Sequence, residues 1–537
     1  MENMTPSRQP ADLLTRIYLI LRWAFGLAVL VYLTLFALNS LTRLRRFSPD
    51  SMNYVDVGRN IATGRGIVQS TLGFNQPHWD VRRTIPTPLT SQPPVYPLLI
   101  ALLGSFGLPW ADAALLIPVL SYAAILLLTC LLVRELFDSG AALMATACLL
   151  VYAPLRFVSA FAWSEAPAMA LAWLGFWLLA RTRYTLPQRY GWPLLAGLAT
   201  GLAFATRYAF LPMLPVGILL LIEPEDRRWT WRNLVLYAAG FALPALGVIG
   251  RSLLYEGTLL GPTRNPSWRG LYANWHDMID ALFKSFLERV APQRQYTWFR
   301  LSLLGMGIIL AIRRQLGKTL EEVFLGGKAY LLTFWTLGYL GLLLYQRTQT
   351  HFDQIGPRLT VPGGIALVLL WATLLVKTLR VQAKHVIYGA LLLGILAIRD
   401  QVRVWRELPP QSEADAIARS ERLTWVAQHT TARDLIIGDD TMDIPFYFGY
   451  EAAISFSPYP YTDYPDYKTW MAYLKPRCAQ YEHVYLVLRR CCENEECWWR
   501  TYGPFIADLV RGNLSAYPAI VRPRALVDGY VFEIVCK

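Results

Sequence analysis

Apolar residues recur in this chain in runs long enough to cross a lipid bilayer, and that recurrence limits the possible fold more than any other feature. Candidate runs lie near 17–38, 112–133, 140–157, 163–180, 191–207, 209–222, 234–250, 299–312, 329–345, 359–376 and 385–399. Most approach the roughly 20 residues that a helix needs to cover a hydrocarbon slab of about 30 Å. With 54% hydrophobic residues among 537, the chain carries more apolar surface than one soluble core can bury. It reads as a polytopic α-helical membrane protein with about eleven spans. The first run, Ile17 to Leu38, is too long for a signal-peptide core and leads straight into basic residues, so it is expected to stay as an anchor helix.

Charge fixes the expected orientation. With the N-terminus inside, four loops fall on the cytoplasmic side: those with Arg181, Arg183 and Arg189; with Arg227, Arg228 and Arg232; with Arg313, Arg314 and Lys318; and with Lys377, Arg380 and Lys384. Short cytoplasmic loops favour such excess. Arg43, Arg45 and Arg46, after the first run, run against it, but four loops outweigh one. The net charge of +13 follows from this topology, and no nucleic-acid signature accompanies it.

Three polar regions, 39–111, 251–298 and 401–537, then emerge by parity on one outer face. The expected division is a transmembrane module over 1–400, whose external loop 39–111 carries the working residues, and an extracytoplasmic α/β domain over 401–537. The tail shows a polar helical stretch near Ser412 to His429, then the apolar runs DLIIGDD and YEHVYLVL bounded by turn residues. Cys478, Cys491, Cys492, Cys497 and Cys536 cluster there, enough for two disulfides outside the cell, while Cys130 and Cys148 fall inside spans. Without paired histidines, zinc is not expected.

The first external loop holds SPDSMNYVDVGRNIATGRG, from Ser48. Asp50 and Asp56 flank an amphipathic stretch in which Tyr54, Val57 and Ile61 share a helical stripe, so the segment is expected to lie on the membrane surface. The later VYPLLIALLGSFG is too short to span and reads as a re-entrant or interfacial helix. Glu165, ahead of Pro167 at a helix mouth, either stabilises that helix start or serves a site. Arg207 and Arg358, on the same expected face, are either snorkelling interface cations or a phosphate cradle. His351 and Asp353 lack a second histidine at ligand spacing, so no metal is predicted. Asp439 and Asp440 read as a turn.

DSMNYVDVGRNIATGRG resembles the first external loop of the C-type glycosyltransferases of family 39, relatives of protein O-mannosyltransferases and lipid A aminoarabinose transferases. The matching positions are Asp50, Tyr54, Asp56 and Gly64. QPPVYPLLIALLGSFG, SEAPAMALAWLGFWLL, GLATGLAFATRY and FDQIGPRLTVPGGIALVLL follow in the family's order over most of residues 48–376. The resemblance implies inverting transfer of a sugar from a polyprenyl-phosphate donor to a hydroxyl of an extracytoplasmic acceptor, in the bacterial inner membrane, with membrane lipids as further partners and no nucleic acid. It implies Asp50 as general base, Asp56 and Glu165 as orienting carboxylates, Arg207 and Arg358 as the phosphate cradle, and Tyr54, Gln92, Tyr208 and His351 as substrate contacts. The chain departs from the pattern at Ser91 and Gln92, where relatives carry an acidic-basic pair, at Ser51, where they carry Glu, and at Arg207, where they carry Lys. A transporter or lipid flippase is the alternative reading, which internal inverted repeats would favour; none is evident.

Overall fold

The computed structural model describes residues 10–71, 86–184, 191–222, 227–262, 266–287, 318–325, 330–378, 383–438, 442–450, 453–455, 467–490 and 504–535. They fall into two compact units, one of Met1–Leu44, Leu116–Val248 and Pro266–Pro409, the other of Arg45–Leu115, Ile249–Asn265 and Pro410–Lys537.

The first unit is helical. Its elements are α1 (Pro10–Asn39), most of α4 (Trp110–Leu136), α5 (Ser139–Val151), α6 (Ala153–Ser159), α7 (Glu165–Tyr184), α8 (Gly191–Thr206), α9 (Met213–Leu221), most of α10 (Arg227–Glu256), α11 (Leu271–Leu287), α12 (Tyr330–Gln349), α13 (Pro357–Thr378) and α14 (Ala383–Glu407). Among the described residues five helices are long and apolar enough to cross a membrane, or six if α5 and α6, bent by 63°, form one span. The expected runs at 191–207 and 209–222 form helices of 16 and 9 residues, too short alone for the hydrocarbon slab. The expected run at 299–312 lies outside the described residues. One side of α1 is bare, with Ile20, Trp23, Leu27 and Leu30 all exposed, as a lipid-facing stripe requires.

Polar groups inside this unit pair with one another. Asn39 at the end of α1 donates to the carbonyl and side-chain oxygens of Gln401, each at 2.9 Å, and Arg156 meets Asp400 at 3.1 Å. Tyr32 and Tyr122 share a hydrogen bond of 3.1 Å. In an apolar surround such groups are costly unless satisfied. Glycine permits the close approach of α8 and α10: a Cβ on Gly197 would meet the Tyr237 carbonyl oxygen at 2.1 Å.

The second unit gathers most of the first and third polar segments and the beginning of the second, whose remainder, with α11, falls in the first unit. Its first part is α2 (Pro49–Ala62) packed on α3 (Val95–Ser105), with a short antiparallel pair of β1 (Val68–Gln69) and β2 (Thr87–Pro88). α2 starts where it does because Ser48 and Ser51 cap each other's backbone N–H groups and Pro49 occupies the first turn, where its missing N–H costs nothing. Expected to lie on a membrane with one apolar stripe, α2 is instead covered around most of its circumference: Ser51, Asn53, Tyr54, Val55, Asp56, Val57, Gly58 and Asn60 are all buried. α3 supplies much of that cover, with the Tyr54 and Tyr96 rings 4.9 Å apart. Arg251, near the end of α10, donates to the carbonyls of Leu89 at 3.1 Å and Ile67 at 2.5 Å, tying both sides of the hairpin.

The C-terminal part of this unit is an α/β arrangement of α15 (Glu413–Ala418), α16 (Glu421–His429), α17 (Asp443–Phe448), α18 (Tyr467–Cys478) and a sheet of β3 (Leu435–Gly438), β4 (Ala453–Ser455), β5 (Val484–Arg489), β6 (Ile520–Leu526) and β7 (Gly529–Ile534) in the order β4-β3-β5-β7-β6. β3 runs parallel to β4 and β5, and β7 antiparallel to β5 and β6. The single helix expected near Ser412 to His429 is two, because Ser420 caps a new start by accepting from the Leu423 N–H. Cys478 is disulfide-bonded, whereas Cys130 and Cys148 are free. Asp439 and Asp440 lie outside the described residues.

Candidate active site

In the helical unit two helix starts and the end of a third helix bring charge together. Glu165 opens α7, Arg207 follows the last residue of α8, and Arg358 lies in the first turn of α13. Glu165 Oε1 accepts from Arg207 Nη1 at 3.0 Å and Arg358 Nε at 2.5 Å. The carboxylate is 2% exposed and the guanidiniums 21% and 22%, so two reachable cations stand over a buried counter-charge. The trio carries a net charge of one. Arg207 also reaches Ser164 Oγ at 3.2 Å, and the Arg358 guanidinium lies over the Trp163 ring at 3.8 Å. Stacking on an aromatic face and pairing with carboxylate are arginine's strengths over lysine. Glu165 Oε2 is buried with no hydrogen-bond partner among the described residues.

Two other expected contacts on this unit sit in different company. Tyr208 packs on Phe204, with ring centroids 5.7 Å apart. His351 stacks beside Trp268 at 6.2 Å; burial and then the Arg347 cation hold its imidazole below the ordinary range. Among the described residues no group of three or more His, Cys, Asp or Glu side chains could hold a metal ion.

In the second unit Asp50 stands in the first turn of α2, where the helix dipole favours an anion. Gln92 Nε2 donates to Asp50 Oδ1 at 3.2 Å, and Asn53 Nδ2 meets Gln92 Oε1 at 3.5 Å. A neutral amide therefore orients this carboxylate where the family pattern places a cation. Asn53, absent from the sequence expectations, shares Asp50's face at a spacing of three, which was the available signal. Tyr54, expected on a substrate, is 3% exposed against Tyr96 and belongs to the core.

Asp56, expected as a second working carboxylate at the membrane surface, is 3% exposed. Its oxygens accept from Ser70 N at 2.6 Å and Ser70 Oγ at 2.7 Å, so it fastens the β1 hairpin to α2. Burial pushes its carboxyl up from 3.8 to about 6, against the Ser70 hydrogen bonds that favour the anion. Between those values the native state holds a proton that the unfolded chain has lost, so stability falls as pH rises through that window, by on the order of 3 kcal/mol in total. Asn in its place can still accept from the Ser70 N–H and donate to the hydroxyl, without that dependence. Thermal unfolding in detergent from about pH 4 to about pH 7 is expected to show wild type losing ground steadily against Asp56→Asn; a constant gap contradicts the assignment.

Residues 91–249 match the family described as dolichyl-phosphate-mannose-protein mannosyltransferase, a segment that includes Gln92, Glu165 and Arg207. No curated protein matches the chain significantly. Among solved structures, ArnT from Cupriavidus metallidurans in the apo state is similar with a TM-score of 0.59 at 13% identity, over 98% of this chain and 99% of that one. The same protein bound to undecaprenyl phosphate gives 0.57 at 12%, over 95% and 97%. The Archaeoglobus fulgidus oligosaccharyltransferase in the apo form gives 0.52 at 14%, over 87% and 69%. At such identities the likeness speaks for the fold. The chain therefore has the fold of ArnT and of the archaeal oligosaccharyltransferase, and its residues 91–249 carry the match to the mannosyltransferase family.

Proposed function

We propose that the protein transfers a sugar, with inversion, from a polyprenyl-phosphate donor to a hydroxyl of an extracytoplasmic acceptor. The observation that carries this reading is the pair of partly exposed arginines set over buried Glu165. Their net single positive charge suits a phosphodiester monoanion, and charge-assisted hydrogen bonds to phosphate are among the stronger protein contacts. That ArnT binds undecaprenyl phosphate supports the donor class. Most of the first and third polar segments and the start of the second fall in one unit, in keeping with a shared outer face of a bacterial inner membrane and a cytoplasmic N-terminus.

Asp50 removes the acceptor hydroxyl proton as that oxygen attacks the anomeric carbon. The bond from that carbon to the phosphate oxygen breaks, and the electron pair leaves with polyprenyl phosphate. The leaving group is already a stable anion, so it needs cations and no proton donor. Arg207 and Arg358 meet the charge gathering on it. Glu165 keeps both guanidiniums aligned, and its second oxygen accepts from a hydroxyl of the sugar or acceptor. Stereochemistry tests the displacement: a donor of one anomeric configuration is expected to give product of the other, read by NMR coupling constants. Retained configuration would rule out direct attack by the acceptor.

A further inference from the structure

We infer that the C-terminal part of the second unit clamps the helix bearing Asp50, with Arg59 as the positioning residue; this rests on Asp50 as the proposed base. The clamp is built at the opposite end of α2 from Asp50. Arg59 Nη1 donates to the Pro445 carbonyl at 2.5 Å and Nη2 to the Phe446 carbonyl at 3.1 Å, so one guanidinium satisfies two carbonyls in the last turn of α17. A cation at a helix C-terminus is also favoured by its dipole. Gly449 makes room: it ends α17 with φ +69°, and a Cβ there would lie 3.0 Å from Arg59 Nη1. Just before α2, the Phe47 ring packs on Phe446 at 4.8 Å between centroids. Arg45 reaches Asp112 at 2.6 Å and Glu413 at 3.2 Å, joining the approach to α2 with the start of α15. Thr71, just after β1, donates to Met442 Sδ at 3.2 Å.

On the other side, α17 is itself held to the sheet. Arg422 of α16, 6% exposed, pairs with Asp443, and Ile444 packs in a cluster with Leu423, Val426, Ile436 and Val487. A continuous path of packed groups thus runs from the sheet through α17 and Arg59 into α2. These partners are separated by 386 and 387 residues, so the tail gives α2 support that its own 14 residues cannot supply. A short helix owes its stability to such packing. Misplacing a reacting group by about 1 Å can cost about 100-fold in rate.

Arg59→Gln, in the full-length protein, is expected to raise amide hydrogen exchange across residues 49–62 and to lower kcat about 10- to 100-fold. The number of polyprenyl-phosphate sites per protein and their Kd should stay at wild-type values, which separates misplacement from a loss of folded molecules. Arg59→Lys, which can still donate to one of the two carbonyls, should recover part of the rate. Phe446→Leu should reproduce the exchange signature from the tail side. In the Asp50→Asn background Arg59→Gln should add little further loss. Unchanged exchange in α2 for both Arg59→Gln and Phe446→Leu would overturn the clamp, and a full additive loss alongside Asp50→Asn would overturn its link to the base. The exchange arm judges the clamp even if wild type releases no polyprenyl phosphate, an outcome that would fail the transferase reading instead.

Discussion

Asp50→Asn is expected to lower sugar transfer by about 10²- to 10⁴-fold, the usual contribution of a positioned general base, while polyprenyl phosphate binds as before. The change is close to isosteric, and Gln92 Nε2, now 3.2 Å from Asp50 Oδ1, can donate equally to an asparagine oxygen. What disappears is the capacity to take the acceptor proton. Asp50 opens a helix on which Asn53, Tyr54 and Val55 are already buried, so the fold has little reason to respond beyond a small loss at the helix start, about 0.3–1 kcal/mol. Transfer by the variant at a rate near wild type would remove Asp50 from the mechanism, whatever happens to donor binding.

The second large effect concerns the arginines, and its sign separates them from their carboxylate. Arg358→Ala and Arg207→Ala each remove a charged donor from the proposed phosphate site, and each is expected to weaken polyprenyl-phosphate binding about 10- to 100-fold, the equivalent of about 1.5–3 kcal/mol. Glu165→Ala removes the shared counter-charge, so the site moves from a net charge of one to two. Binding of the lipid phosphate should hold or tighten, yet turnover should fall, because the guanidiniums lose the oxygen that aligns them and the product phosphate is held harder. Equilibrium binding of polyprenyl phosphate, measured beside kcat for the three variants, decides the matter. If Glu165→Ala weakened binding as much as either arginine change, Glu165 would be touching the lipid phosphate's partner groups and not simply ordering the arginines.

The membrane class was legible because apolar runs follow from local composition, and the convergence of Glu165, Arg207 and Arg358 was legible as shared helix mouths on one expected face. Their pairing through a single oxygen was not, since the sequence separation of 193 between Glu165 and Arg358 closes only in three dimensions. The same limit explains α2. Its stripe of Tyr54, Val57 and Ile61 reads as a surface helix when taken alone, but α3 and the tail cover its other sides, and that burial converts Asp56 from a surface carboxylate into a fastening for Ser70. Among the expected spans, 299–312 lies outside the described residues, and the break expected between 191–207 and 209–222 falls at the turn Tyr208–Phe210, which leaves α8 and α9 as helices of 16 and 9 residues. Gln92 was noticed as a departure from the family pattern, and its role as a donor to Asp50 needed the fold.

The most direct measurement is release of polyprenyl phosphate from a panel of radiolabelled polyprenyl-phosphate sugars by the purified protein with acceptor-rich membranes, with Asp50→Asn run in parallel. Release of the lipid phosphate from at least one donor, matched by label appearing on acceptor and absent in the variant, is the predicted result. Donors left intact across the panel, or consumed equally by the variant, would contradict the transferase mechanism and turn attention to transport.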